Sequence, residues 1–481
     1  MERENAWKKY SEQDLQELDQ LTSNYIDFIS QNKTERECAA AAIKEAEQAG
    51  YLPLEQAIQE HRALKPGDKV WAHTHGKALI LVQIGTESLV NGANILGAHI
   101  DSPRLDLKQN PLYESDGFTL LDTHYYGGIK NYQWVTLPLA LHGVVAKKDG
   151  TVVNIALGED VSDPVFCVTD LLPHLGGEQM DKKGNKIVEG EDLDLLVGNR
   201  PLVASPASEG EGEGEDASSI ASAEASSKDA VKAWTLKLLK EKYNIDEEDF
   251  LSAELEVVPA GAARDLGFDR SMVLGYGQDD RVCAYTSFIA QLKVEKPART
   301  AVCILVDKEE IGSVGATGMA SAFFENTMAE ILALCGHDSN LELRRCLAAS
   351  RMLSSDVSAG YDPLYSSVFD KKNVAYLGRG LVFNKYTGAR GKSGSNDCSA
   401  EYIALIRRIM DNANVSFQTA ELGKVNAGGG GTIAYIPAKY GMDVIDSGVA
   451  VLSMHAPWEA TSKADIYEAY KGYCAFLGCA D

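Results

Sequence analysis

The 481-residue sequence has no CxxC pair, and its nine cysteines are scattered and odd in number. The pattern reads as free thiols in a reducing compartment rather than as a disulfide framework. Positive charge is scarce. The 46 Lys and Arg residues stand against 70 Asp and Glu, for a net charge of -24. Such a surface repels phosphates and argues against a nucleic-acid footprint. The opening stretch "MERENAWKKYSEQDLQELDQL" has no apolar segment of the signal-peptide kind, and no uninterrupted apolar run is long enough to span a bilayer. The expectation is a cytoplasmic protein with neither membrane nor nucleic acid as partner.

What is present is an ordinary globular composition, 45% hydrophobic and 24% charged, on a chain longer than one core usually serves. Two domains are expected. Leu15, Leu18, Tyr25 and Phe28 fall on roughly helical spacing, and the alanine-rich "TERECAAAAIKEAEQAG" reads as a second helix ending at Gly50. From about Tyr125 to Ala207 the texture changes to short β-like runs broken by Gly and Asp. Residues 205–227, "SPASEGEGEGEDASSIASAEASS", offer almost nothing to bury and read as a mobile acidic surface loop. From about Ala253 onward, apolar strands alternate with helices. The expected fold class is α/β: a discontinuous α/β domain, residues 1–104 and 258–481, around a β-rich insert at 105–257.

Chemistry gathers where apolar runs end. "TAVCILVDKEEIGSVGATG" closes a β-like run with two adjacent carboxylates, Glu309 and Glu310, followed directly by glycine-rich sequence. Glu is ordinary at a strand edge. Like charges side by side at the end of a buried strand nevertheless repel unless a cation lies between them or one takes a proton. Strand carboxyl ends are also where open α/β sheets bind ligands. Further donors recur at His99 and Asp101 in "GAHIDSP", Asp279 and Asp280 in "YGQDDRVCAY", Asp356 in "MLSSDVS" and His455 after "SGVAVLSM". Singly, each has a plain structural explanation: a turn, a helix cap, a loop aspartate, a hydrogen-bonded core histidine. Together they form one set of metal-ligating types at strand exits.

The motifs "HIDSP", "DDR", "DKEEIGS", "SSDVS" and "SMHAPWE", in this order over nearly the whole chain, resemble the M18 family of metallo-aminopeptidases, which includes aspartyl aminopeptidase and vacuolar aminopeptidase I. The resemblance implies an α/β zinc-peptidase domain with an inserted β-rich dimerisation domain, and two divalent ions per subunit, zinc first with cobalt or manganese as alternatives. By the same resemblance, His99 ligates one zinc, Asp356 the same zinc or the second, and Asp279 bridges both. Glu310 and His455 complete the set, Glu309 is the free catalytic base, and Asp101 orients His99. Peptides are the implied substrates, and dimers assembled into a tetrahedral dodecamer the implied oligomer. His174 of "LLPHLGG" matches a family histidine that reaches a neighbouring subunit's metals.

Physical chemistry supports this division of labour. A bridging ligand must offer one oxygen to each ion, as a carboxylate does. Neighbouring side chains on a turning backbone diverge, so Glu310 can face metal while Glu309 faces water. A metal-free carboxylate then takes the water's proton and passes it to the leaving amine.

The sequence departs from the family where substrate is selected. Members selective for acidic residues carry a lysine directly after an apolar triplet. In "GLVFNKYTG", Asn384 stands there and Lys385 comes one later, a shift that can turn a side chain to the opposite face. "VSAGYDP" replaces a histidine-containing segment, and Arg390 and Lys392 lie in a glycine-rich stretch. A neutral or broad preference is expected, with Lys385, Trp458 and Gly430 of "NAGGGGT" as candidate substrate contacts beside His174. That glycine run lacks the GK[ST] ending of a P-loop. Two other readings share parts of the pattern: a dinuclear amidohydrolase acting on N-acyl amino acids, and an idle assembly protein, which would have no need of Glu309.

Overall fold

The computed structural model describes residues 3–203, 229–388 and 394–480. The acidic stretch 205–227, Arg390 and Lys392 lie outside the described residues. The chain divides into two compact units, Met1–Ser102 with Ala262–Asp481, and Pro103–Gly261.

The first unit is built on a nine-stranded sheet. Its centre consists of four mutually parallel strands in the spatial order Thr300–Val306, Ala93–His99, Arg351–Ser355 and Asp443–Gly448. All four are buried along most of their length, and Thr300–Val306 and Ala93–His99 are largely apolar, as expected of strands covered on both faces. Alternation then sorts the side chains. Leu96, Cys303, Leu305, Leu353 and Ile445 bury on one face with helices Glu12–Gln31, Glu35–Gln48, Gln278–Lys293 and Lys463–Leu477. Ile95, Val302, Ile304, Met352 and Val444 bury on the other with helices Phe323–Leu334 and Asn340–Ala349. Because the four strands run the same way, their carboxyl ends open on one edge.

The first two helices start at capping boxes, Ser11 with Asp14 and Thr34 with Glu37, each side chain serving the other's backbone N–H. Gly50 follows the second helix at φ +87°, a conformation that side chains resist. One position of the expected stripe departs from burial. Leu15 is exposed, while Leu18, Tyr25 and Phe28 are buried together with Leu21 and Ile29. The apolar face is thus carried by the later turns of the helix.

The second unit is a six-stranded sheet in the order Val152–Leu157, Leu139–Ala146, Ala253–Pro259, Arg104–Ser115, Phe118–Tyr126, Leu195–Gly198, antiparallel throughout. Helix Ala230–Tyr243 also belongs to this unit. The strand Ala253–Pro259 pairs along its full length with Leu139–Ala146, from Ala253 opposite Val145 to Pro259 opposite Leu139. The insert therefore runs to Gly261, a few residues beyond the expected boundary, because strand pairing rather than local texture fixes where it ends.

Candidate metal centre

The strand ends deliver most of the candidate residues. His99 is the last residue of the Ala93–His99 strand, opposite Val306 of its neighbour. Past Val306 the chain reverses through Lys308 at φ +68°, a short 3-10 turn Glu309–Ile311, and Gly312 at φ +99°. Asp356 follows the Arg351–Ser355 strand, and its N–H donates to the Ser447 carbonyl at 3.0 Å. That close approach requires Gly448 next door: a Cβ there would lie 1.9 Å from the Asp356 carbonyl oxygen. Asp279 and Asp280 open the Gln278–Lys293 helix with non-helical backbone and a cis peptide between them. His455 lies in the turn after Ala450–Leu452 and adopts φ +66°.

These residues meet. His99 Nε2 is 3.3 Å from Asp279 Oδ1, and His455 Nε2 is 3.2 Å from Asp279 Oδ2, so one carboxylate lies between two imidazoles. Glu310 Oε1 is 3.7 Å from His455 Nε2, and Glu309 Oε2 is 4.0 Å from His99 Nε2. Donor atoms of His99, Asp280 and Asp356 lie within 4.8 Å of one another, as do those of His99, Asp279 and Glu310. Asp101 is fully buried and works on two segments at once. Its Oδ1 is 3.3 Å from His99 Nδ1, and its two oxygens accept the backbone N–H groups of Glu309 and Glu310, each at 3.2 Å. The His99 Nδ1 also faces the Asp101 carbonyl at 3.0 Å, which leaves Nε2 toward the cluster.

Glu459 stands out beside the expected residues. Buried, it accepts the His455 N–H at Oε1 (2.7 Å) and the Asp279 N–H at Oε2 (3.0 Å). Its only sequence signal was its place in "SMHAPWE". Asp280 likewise sits in the cluster, and its Oδ2 accepts the His99 N–H at 3.4 Å.

Charge crowding shapes the proton affinities. Burial, with Asp279 and Asp101 adding repulsion, pushes Glu309 up to about 7. Burial and then Asp279 hold Glu310 well above its ordinary value, and burial and then Asp280 do the same to Asp356. Burial opposes ionisation of Asp279 as well, but the His455 and His99 imidazoles on its oxygens hold it below the usual carboxylate range. Burial also disfavours a charged His99, yet Asp101 and Asp279 hold its proton affinity above the ordinary histidine value.

The donor set fits a divalent cation. Glu310 Oε1 and Asp280 Oδ1 are buried without a hydrogen-bond partner, acceptors of the kind that an ion satisfies. Imidazole with carboxylate is a zinc-type combination, and an oxygen-rich one that cobalt or manganese also accepts.

A cavity of about 460 Å³ opens on the cluster, lined by Asp279, Glu309, Glu310, Asp356 and His455 and, beyond them, by Leu422, Gly430, Thr432, Tyr435 and Met454 among others. Gly430 is thus at the site. Lys385 and Trp458 are not among the lining residues. Lys385 Nζ pairs with Asp397 at 2.9 Å and reaches the Tyr386 hydroxyl at 3.2 Å, and Trp458 is half-buried in the turn before the Glu459–Ser462 strand. The preceding Asn384 is buried and donates to Ser358 Oγ at 3.4 Å. His174 is exposed and belongs to the other unit.

A family model for aminopeptidase I zinc metalloproteases (M18) matches residues 28–477, and the chain belongs to that family. A probable M18 family aminopeptidase 1 from Clostridium acetobutylicum is 59% identical over 476 residues, covering 99% of this chain and 98% of the relative. The crystal structure of an M18 aminopeptidase from Thermotoga maritima superposes with a TM-score of 0.90 at 42% identity, covering 99% of each chain. The fold extends to the S. cerevisiae mApe1 dodecamer at 19% identity, with a TM-score of 0.73 and 95% of each chain covered.

The proton affinities set a pH dependence. Groups raised in the folded state stabilise the metal-free fold only at low pH. For Glu309 that contribution is lost as pH climbs from its ordinary 4.5 to about 7. His99, also raised, acts in the same direction, losing its contribution as pH rises through its folded value. Metal must displace the protons of the candidate ligands His99, Glu310 and Asp356, all held above their ordinary values, and its charge favours ionised Glu309, so it binds better as pH rises. The melting-temperature gain on adding zinc to chelated protein should therefore grow between about pH 5 and about pH 8. A gain that is flat or shrinks with pH, in differential scanning fluorimetry, contradicts this charge arrangement.

Proposed function

We propose that the chain is a dinuclear zinc aminopeptidase that releases neutral or a broad range of N-terminal residues from peptides, with Glu309 as general base. The observation that carries the reading is Asp279, whose two oxygens each face a different imidazole, His99 at 3.3 Å and His455 at 3.2 Å. This favours His99 and Asp356 as ligands on one side, Glu310 and His455 on the other, and Asp279 between them. When bound, two divalent ions lower the pKa of water and polarise a carbonyl group.

The chain's own residues carry the protons. Glu309 lines the cavity and is more exposed than Glu310, 16% against 4% for the side chains, as suits a base beside a ligand. Glu309 takes the proton of the attacking water at a carboxylate oxygen and delivers it to the departing amine nitrogen. Asp101 keeps both glutamates in register through their backbone N–H groups and holds the His99 ring. Glu309→Gln should retain metal and lose about a hundredfold or more in kcat, whereas Glu310→Ala should lose metal as well. Elemental analysis of the two variants decides, and equal metal loss refutes the division of roles.

The selectivity reading rests on the described lining of the cavity. Among the described residues, no lysine or arginine lines the cavity, and Lys385 is held by Asp397. A charge-assisted hydrogen bond to an acidic side chain would contribute ~1.5–3 kcal/mol, roughly a ten- to hundredfold preference. Without it, kcat/KM for a leucyl amide should at least equal that for an aspartyl amide at matched ionic strength. A strong aspartyl preference abolished by Lys385→Ala would overturn this. Hydrolysis of an acetyl-capped amide in the same assay would favour the N-acyl amidohydrolase alternative.

The β-rich unit is proposed as the dimerisation domain, and the dimers as parts of a dodecamer, with His174 reaching a neighbouring subunit's site. The expected outcome is an oligomer in light scattering and reduced turnover of His174→Ala. A monomer contradicts the assembly, and parental activity of the variant contradicts the role of His174.

A further inference from the structure

Two buried carboxylates tie the metal-facing segments together, and the second of them has no part in the scheme above. Asp101 joins His99 to the Glu309–Glu310 turn. Glu459 does the corresponding work on the opposite side of Asp279. We infer that Glu459 is a positioning residue that fixes the separation of Asp279 and His455 by accepting a backbone N–H from each, at 3.0 Å and 2.7 Å. The inference rests on the dinuclear reading, in which those two residues hold one ion between them.

The geometry gives Glu459 few other tasks. It is 1% exposed, and among the described residues no lysine or arginine pairs with it. A carboxyl group buried without a cationic side chain is unfavourable unless its neighbourhood supplies compensating hydrogen-bond partners. Here both oxygens are engaged by the backbone of candidate ligands, so what the carboxylate organises is the metal cluster.

The surrounding contacts locate it further. Glu459 opens the Glu459–Ser462 strand directly opposite Gly275, the residue that ends the strand leading into Asp279. Gln278 Nε2 donates to the Glu459 carbonyl at 2.6 Å and to the Val273 carbonyl at 3.2 Å, and the Tyr25 hydroxyl donates to Gln278 Oε1 at 3.2 Å. Glu459 is thus anchored through its main chain on the Asp279 side and reaches through its side chain to the His455 turn. That turn needs holding. Ser453 and His455 both adopt positive φ, 59° and 66°, a region that non-glycine residues occupy when their surroundings impose it. With the Glu459 oxygen removed, the His455 N–H loses its acceptor and the turn can relax, carrying the imidazole away from Asp279.

Glu459→Gln tests this, because the amide is nearly the same size but places a donor against one of two N–H donors. Zinc affinity is measured by competition with a chromophoric chelator, the cobalt-substituted protein is examined by visible absorption, and kcat and KM are determined for a leucyl amide. The parent must take up metal in this assay; if it does not, the dinuclear reading itself fails. Given a metal-binding parent, the expected result is unchanged circular dichroism and assembly, zinc bound about ten- to hundredfold more weakly, an altered cobalt spectrum, and a lowered kcat at nearly constant KM. Parental zinc affinity with a parental cobalt spectrum overturns the inference while leaving the dinuclear reading intact. Should the amide variant not fold, Glu459→Asp keeps both oxygens and the charge but withdraws them by one methylene. Weakened zinc binding in that variant supports the inference, and parental binding overturns it.

Discussion

Buried negative charge governs this molecule. Asp101, Asp279, Asp280, Glu309, Glu310, Asp356 and Glu459 crowd around two imidazoles, and among the described residues the cavity that opens on them is lined by no lysine or arginine. Removing carboxylates from water and setting them side by side is costly in a medium that screens charge poorly. Protons can relieve the repulsion, as the raised affinities of Glu310 and Asp356 indicate. Divalent cations relieve it without removing the ionised oxygens that ligation and base catalysis require. The family's zinc chemistry and the local electrostatics therefore point the same way.

The fold makes this crowding possible by bringing carboxyl ends to one edge. Parallel strands Ala93–His99, Thr300–Val306 and Arg351–Ser355 end together because their register is fixed along their buried lengths. A slip of one residue would exchange the two faces of the core as well as move a ligand. Backbone N–H groups reach both supporting carboxylates: Asp101 accepts those of Glu309 and Glu310, and Glu459 those of Asp279 and His455.

How much of this was legible beforehand differs by the range of the interaction. His99, Asp279, Glu310, Asp356 and His455 were readable because each ends or follows a segment with strong local character, and the α/β class followed from alternating strands and helices. Glu459 was not readable, since a glutamate at a strand start is ordinary until Asp279, 180 residues away in sequence, donates to it. The pairing of Lys385 with Asp397, twelve residues on, is likewise beyond a local reading. The end of the insert was blurred for a similar reason: Ala253–Pro259 is an apolar strand like those after it, and only its pairing with Leu139–Ala146 assigns it to the antiparallel sheet.

The central claim is that Asp279 lies between two metal ions. Anomalous diffraction from crystals of the zinc-loaded protein, recorded on both sides of the zinc edge, tests it most directly. The account predicts two peaks per chain flanking the Asp279 carboxylate, one on the His99 and Asp356 side and one on the Glu310 and His455 side. A single peak, or peaks held by other residues, would contradict it.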